Sequence, residues 1–89
     1  MKYFSVHIKG FVQGVGFRYY CYRLAVKYNL RGFVENLDDG SVYLEIEADD
    51  NIIDAFLDEL RVGPRSAVIN SIKVEGKKYE NKYSDFQIY

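Results

Sequence analysis

Residues 3–28 read YFSVHIKGFVQGVGFRYYCYRLAVKY, and the apolar period changes part-way through. From Tyr3 to Lys9 the period is two. Phe4, Val6 and Ile8 fall on one face and Ser5, His7 and Lys9 on the other, the pattern of a strand with one buried face. From Phe17 onward the period is helical: Phe17, Tyr20, Cys21, Leu24, Ala25 and Tyr28 recur at spacings of three and one and form one apolar stripe. The glycine-rich stretch Gly10–Gly16 lies between them. Asn29 is placed to close the helix in the left-handed conformation that glycine usually adopts there.

The same two periods continue outward. Gly32–Leu37 and Ser41–Ala48 read as strands joined by Asp38-Asp39-Gly40, a turn sequence that tolerates positive φ. Val42, Leu44, Ile46 and Ala48 share one face of the second of these strands, with Tyr43, Glu45 and Glu47 opposite. Asp49 and Asp50 are expected to cap a second helix whose stripe is Ile52, Ile53, Phe56, Leu57 and Leu60, and Gly63-Pro64 ends it. Ala67–Glu75 reads as a further strand with Val68, Ile72 and Val74 on one side, Gly76–Tyr83 as a polar loop, and Asp85–Tyr89 as a short closing strand. This order predicts an α+β, ferredoxin-like βαββαβ sandwich: an antiparallel sheet with two helices on one face, plus a C-terminal strand. One domain over residues 1–89 is expected, since a chain of 89 residues supports a single core.

Composition narrows the function classes. With 48% hydrophobic and 28% charged residues the chain is an ordinary globular one. Its net charge of -1 lacks the basic excess that neutralises nucleic-acid phosphates. A single cysteine, Cys21, forms no internal disulfide and reads as a small apolar residue on the buried helix face. No apolar run approaches the ~20 residues of a membrane span, and Met1–Ser5 lacks the features of a signal peptide. No membrane contact, cytoplasmic residence and a monomeric state are the default expectations.

The loop from Gly10 to Arg18 carries the chemistry. It leads from a strand into a helix start, where main-chain N–H groups are unpaired and the helix dipole is positive. Glycines let the backbone approach an anion closely, and Arg18 in the first turn adds a planar fork of donors. Spacing alone leaves open both an anion cradle and an ordinary glycine loop. Gly14-Val15-Gly16 lacks the third glycine of a dinucleotide fingerprint, Tyr19 standing in its place, and no Gly-Lys-Ser/Thr run exists.

Gly10-Phe11-Val12-Gln13-Gly14-Val15-Gly16-Phe17-Arg18 resembles the first signature of the acylphosphatase family, and Gly32–Val42 resembles the second. Gly63-Pro64 followed by Ala67 and Val68, and the tail Asp85–Tyr89, are similar to further parts of that pattern, so the likeness runs almost end to end. Asn29, where the family commonly has glycine, and Ala48-Asp49 depart from it away from the two motifs. The resemblance implies hydrolysis of acyl phosphates to a carboxylate and inorganic phosphate, with no metal or cofactor. It also implies that the main-chain amides of Gln13, Gly14, Val15, Gly16 and Phe17, together with Arg18, hold the phosphoryl oxygens, and that Asn36 orients the attacking water. Arg18 and Asn36 are then the catalytic side chains.

A carboxylate leaves readily as an anion, so this reaction needs no general acid, whereas an ordinary phosphate ester does. Two other readings stand beside it. One is a non-catalytic module that binds a small anion through the same cradle. The other is an RNA-binding domain of the same topology; Arg31-Gly32-Phe33 starts like its aromatic strand motif, but Val34-Glu35-Asn36 breaks it. His7 lies on a polar strand face, Tyr19, Tyr20, Tyr22 and Tyr28 read as packing and rim residues, and Asp38 and Asp39 as turn formers. The chain begins and ends near the limits of the family pattern, so a free-standing enzyme is expected rather than part of a larger carbamoyl-phosphate-handling protein.

Overall fold

The computed structural model describes Met1–Tyr89 and gives the order β1 (Lys2–Phe11), α1 (Phe17–Tyr28), β2 (Arg31–Asn36), β3 (Val42–Ala48), α2 (Ile53–Val62), β4 (Val68–Lys77) and β5 (Phe86–Ile88). The strands form one sheet in the order β4-β1-β3-β2-β5. The first four pair antiparallel, as a ferredoxin-like sandwich requires. Phe4, Val6 and Ile8 of β1 and Val42, Leu44, Ile46 and Ala48 of β3 are buried in one cluster with Phe17, Cys21, Leu24 and Ala25 of α1 and Phe56, Leu57 and Leu60 of α2. Both helices therefore cover the same sheet face, and the alternation read from the sequence is the alternation of that face. Asn29 closes α1 at φ 54 and ψ 47, the left-handed cap expected of it.

Three local features depart from the sequence reading. β5 runs parallel to β2, with Gly32 opposite Phe86 and Val34 opposite Ile88, so the sheet is mixed once the tail strand joins it. A three-residue strand carries no mark of direction in its sequence; direction follows from where the preceding segment leaves it. Second, Val68 does not share a face with Ile72. The ladder pairs Lys9 with Ser71 but Gly10 with Ile69, so a bulge at Asn70 turns Ile69 toward the core and leaves Val68 58% exposed. Gly10 sits at that bulge with φ +143, and a Cβ there would meet the Val68 carbonyl oxygen at 2.0 Å. Third, Asp49 and Asp50 do not cap α2 through their side chains. A short 3-10 turn, Asp50–Ile52, intervenes without a side-chain cap bond, and the Asp50 carboxylate lies 3.5 Å from the N-terminal amine instead.

The segment after β4 crosses the open sheet face to reach β5 at the opposite edge, and a buried carboxylate holds it there. Glu47 of β3 is 0% exposed and accepts the main-chain N–H of Lys82 at 2.8 Å and of Tyr83 at 3.1 Å, with Arg31 at 3.7 Å. Beside it Glu45 accepts the phenols of Tyr3, Tyr43 and Tyr83. Burial pushes the Glu45 carboxyl up, but those three phenols more than offset it and hold it below the ordinary carboxylate value. The loop read as merely polar is thus a strap, and its anchor explains why a glutamate can be fully buried.

Glu47→Ala is expected to remove the strap's anchor and leave two N–H groups and Arg31 without their acceptor. A loss of about 2–4 kcal/mol in urea unfolding follows.

Candidate active site

Val12, Val15 and Phe17 face the core and pin the loop between β1 and α1. Gln13 ties the same loop sideways: its Nε2 donates to the carbonyls of Leu37 at 2.7 Å and Ser41 at 2.9 Å, on the β2–β3 hairpin. Between these anchors Gly14 and Gly16 adopt φ 73 and φ 76. A Cβ at either would meet nothing within 4 Å, so backbone conformation and not space calls for glycine.

Gly16 occupies the cap position of α1, so no side chain caps the helix, and its first turn holds no acidic residue. The first intrahelical bond runs from the Tyr20 N–H to the Gly16 carbonyl at 3.0 Å. The N–H groups of Phe17, Arg18 and Tyr19 therefore lack an intrahelical acceptor, and the positive end of the helix dipole is uncompensated. That is an anion-binding geometry.

Arg18 is exposed, and its Nη1 donates to the main-chain oxygen of Tyr89 at 2.6 Å. A guanidinium carries five N–H donors, so this contact leaves others free. Asn36 ends β2, and its Oδ1 is buried with no hydrogen-bond donor facing it. Gly14, Gly16, Arg18, Tyr19, Asn36 and Ile88 line one cleft of about 280 Å³. The structure thus brings together four of the residues singled out in the sequence. The side chains of Gln13, Val15 and Phe17 are committed to the hairpin and the core, which leaves their main chain as the part able to meet a ligand.

Tyr19 and Ile88 were not expected in the cleft. Tyr19 follows Arg18 directly but reads as a rim residue, and Ile88 arrives only because β5 pairs parallel with β2 and ends beside Asn36. A wider groove of about 730 Å³ runs between the outer side of α1 and β5, away from Arg18 and Asn36. No group of three His, Cys, Asp or Glu side chains is arranged to hold a metal. His7 bonds Ser41 Oγ at 2.7 Å, and Asp39 accepts the Ser41 N–H at 2.9 Å as a turn former does. Hydrogen bonds from the Ser41 hydroxyl and N–H hold the Asp39 carboxyl below its ordinary value. The Cys21 thiol is buried, which pushes it far above the usual thiol range and leaves it inert.

The acylphosphatase family profile matches residues 4–88. The chain belongs to the acylphosphatase family. An acylphosphatase of Thermotoga maritima is 43% identical over 88 residues, covering 99% of this chain and 97% of the relative. The crystal structure of the acylphosphatase from Bacillus subtilis superposes with a TM-score of 0.95 at 31% identity, covering 100% of this chain and 99% of that one. Full-length HypF in its phosphate- and nucleotide-bound form contains a similar unit, with a TM-score of 0.91 at 37% identity, covering 99% of this chain but 12% of that one. This acylphosphatase is a hydrolase acting on acyl phosphates, and the ferredoxin-like sandwich is the fold of its solved relatives. The reading as a non-catalytic anion module is therefore set aside. No helix is long and apolar enough to cross a membrane.

Because Gln13 alone joins the cradle to the hairpin through its side chain, Gln13→Ala is expected to lower stability by about 1–2 kcal/mol. It should also raise the inhibition constant of inorganic phosphate, as read by competition against an acyl phosphate.

Proposed function

We propose that this enzyme splits acyl phosphates at the Gly14–Asn36 cleft without a metal, Arg18 and Asn36 being its catalytic side chains. The observation that carries the reading is that Asn36, whose carboxamide oxygen has no partner in the fold, lines the same cleft as the α1 N-terminus and Arg18. The main-chain N–H groups of Gln13, Gly14, Val15, Gly16 and Phe17, with the free donors of Arg18, receive the three equatorial oxygens of the phosphoryl group. Charge builds on those oxygens in the transition state, and fixed dipoles stabilise it without reorganising.

The Asn36 carboxamide hydrogen-bonds a water and directs its oxygen at phosphorus. The P–O bond to the acyl group breaks in line, and the carboxylate departs with the bonding electrons. A carboxamide does not take up a proton near neutral pH, so the proton lost by water leaves with the phosphate. The leaving group needs no protonation, which is why neither an acid nor a metal has to stand opposite the nucleophile.

The same reading has the enzyme work as one domain over residues 1–89, as a monomer in the cytoplasm, on a small-molecule acyl phosphate and without nucleic acid. The net charge of -1 gives no basic footprint for a polynucleotide, and the one cysteine is a buried free thiol compatible with a reducing compartment.

The test is hydrolysis of benzoyl phosphate in excess chelator. Turnover is expected to survive the chelator and to vanish in Arg18→Gln together with inhibition by phosphate. Asn36→Ala should lose turnover by about 100-fold while phosphate still inhibits, the scale of one lost transition-state hydrogen bond. Equal loss of phosphate inhibition in both variants would contradict this division of roles. A simple alkyl phosphate should be hydrolysed poorly under the same conditions, because its alkoxide leaves badly without an acid.

A further inference from the structure

The cleft is polar on one side and apolar on the other. Gly14, Gly16, Arg18 and Asn36 answer to the phosphoryl group, and the side chains of Tyr19 and Ile88 have no part in holding it. Both present apolar surface at the mouth of the cleft: Tyr19 is 62% exposed and Ile88 40%. Tyr19 is also braced, its ring stacking on Tyr22 at 6.4 Å between centroids and 20° between planes.

The volume of about 280 Å³ lies at the small end for a ligand pocket, enough for a phosphoryl group and a few further heavy atoms. A longer acyl group must leave it. Ile88 lines both the cleft and the wider α1–β5 groove, and Tyr22, the stacking partner of Tyr19, lines that groove with Val26, Leu30 and Phe86. The two spaces thus meet at Ile88, and Tyr22, Val26, Leu30 and Phe86 give the groove an apolar side.

We propose that Tyr19 and Ile88 form an acyl subsite beside the cradle and that the α1–β5 groove receives the remainder of longer, apolar acyl chains. This assignment rests on the cradle proposed above and adds the substrate class: acyl phosphates whose carboxylic acid is aliphatic or aromatic, preferred over acetyl phosphate. The phosphoryl end sets the chemistry, and the Tyr19–Ile88 wall sets which acyl group is held while it occurs.

Full burial of one CH2 strengthens binding about fourfold, and an open groove gives about half that free energy, or about twofold per CH2. In the wild-type chain, kcat/KM is therefore expected to rise about twofold per added CH2 from acetyl through butyryl to hexanoyl phosphate. Tyr19→Ala should lower the hexanoyl-to-acetyl ratio of kcat/KM by about fivefold, and Tyr19→Phe, which keeps the ring, should retain it. Val26, 65% exposed in the groove, provides an independent probe that does not border the cleft: Val26→Glu should lower the same ratio by placing a charge on the groove's apolar side. A flat chain-length series, or ratios unmoved by Tyr19→Ala and Val26→Glu, overturns the subsite. Arg18→Gln run alongside separates the two assignments: if it abolishes turnover while the series is flat, the subsite alone falls, and if turnover survives it, the cradle itself falls.

Discussion

A helix end without a capping side chain governs this molecule. Most helices place a serine, threonine or aspartate at the position that Gly16 occupies, and its oxygen would take one of the free N–H groups. Here the cap is a left-handed glycine and the first turn carries no acid, so nothing in the chain neutralises the positive end of α1. The loop ahead of it is held from two sides, by Val12, Val15 and Phe17 in the core and by the Gln13 amide on the hairpin. The donors are therefore oriented before any anion arrives, and that pre-organisation is what makes fixed dipoles effective in catalysis. A loop free to rearrange would lose the same free energy in ordering itself.

Stability and chemistry occupy opposite ends of the sheet. At the end where β1 and β5 begin, Glu47 and Glu45 gather the strap, Arg31 and three phenols into one half-buried polar network. At the other end, where β1, β2 and β5 finish, the half-buried Asn36 keeps a buried side-chain oxygen without a partner. A polar network with its partners in place adds rigidity, whereas an unpaired buried acceptor costs stability. The two ends communicate through β5, which the strap delivers to the free edge of β2 and whose last residues border the cleft and the Arg18 guanidinium. A segment read from its sequence as a polar loop thus positions part of the site.

The chemistry proposed for this fold depends on neutral and main-chain groups more than on titrating ones. His7 is tied to Ser41 and the Cys21 thiol is buried, so the side chains that usually mark an enzyme by their proton chemistry stand outside the cleft. The carboxylate leaving group makes such chemistry unnecessary, since its departure requires no proton. In the proposed subsite the acyl half of the substrate meets a tyrosine and an isoleucine, whose contribution is apolar contact and not charge.

The periodicities of β1, α1, β3 and α2 are local, and each follows from which side chains prefer a common buried face. By itself, therefore, the sequence determined the sandwich, its two-helix face, the left-handed cap at Asn29, and the pairing of a glycine cradle with Arg18. It did not reveal the direction of β5, the bulge at Asn70 or the strap anchored on Glu47, and with them it missed Ile88 as a neighbour of Asn36. Each of these joins residues far apart in the chain. A strand of three residues pairs in either direction until a crossing segment brings it to one edge, and a glutamate on a polar strand face looks solvated until a backbone is laid over it. Contacts of that range arise from the packing of whole elements, and only the tertiary structure decided them.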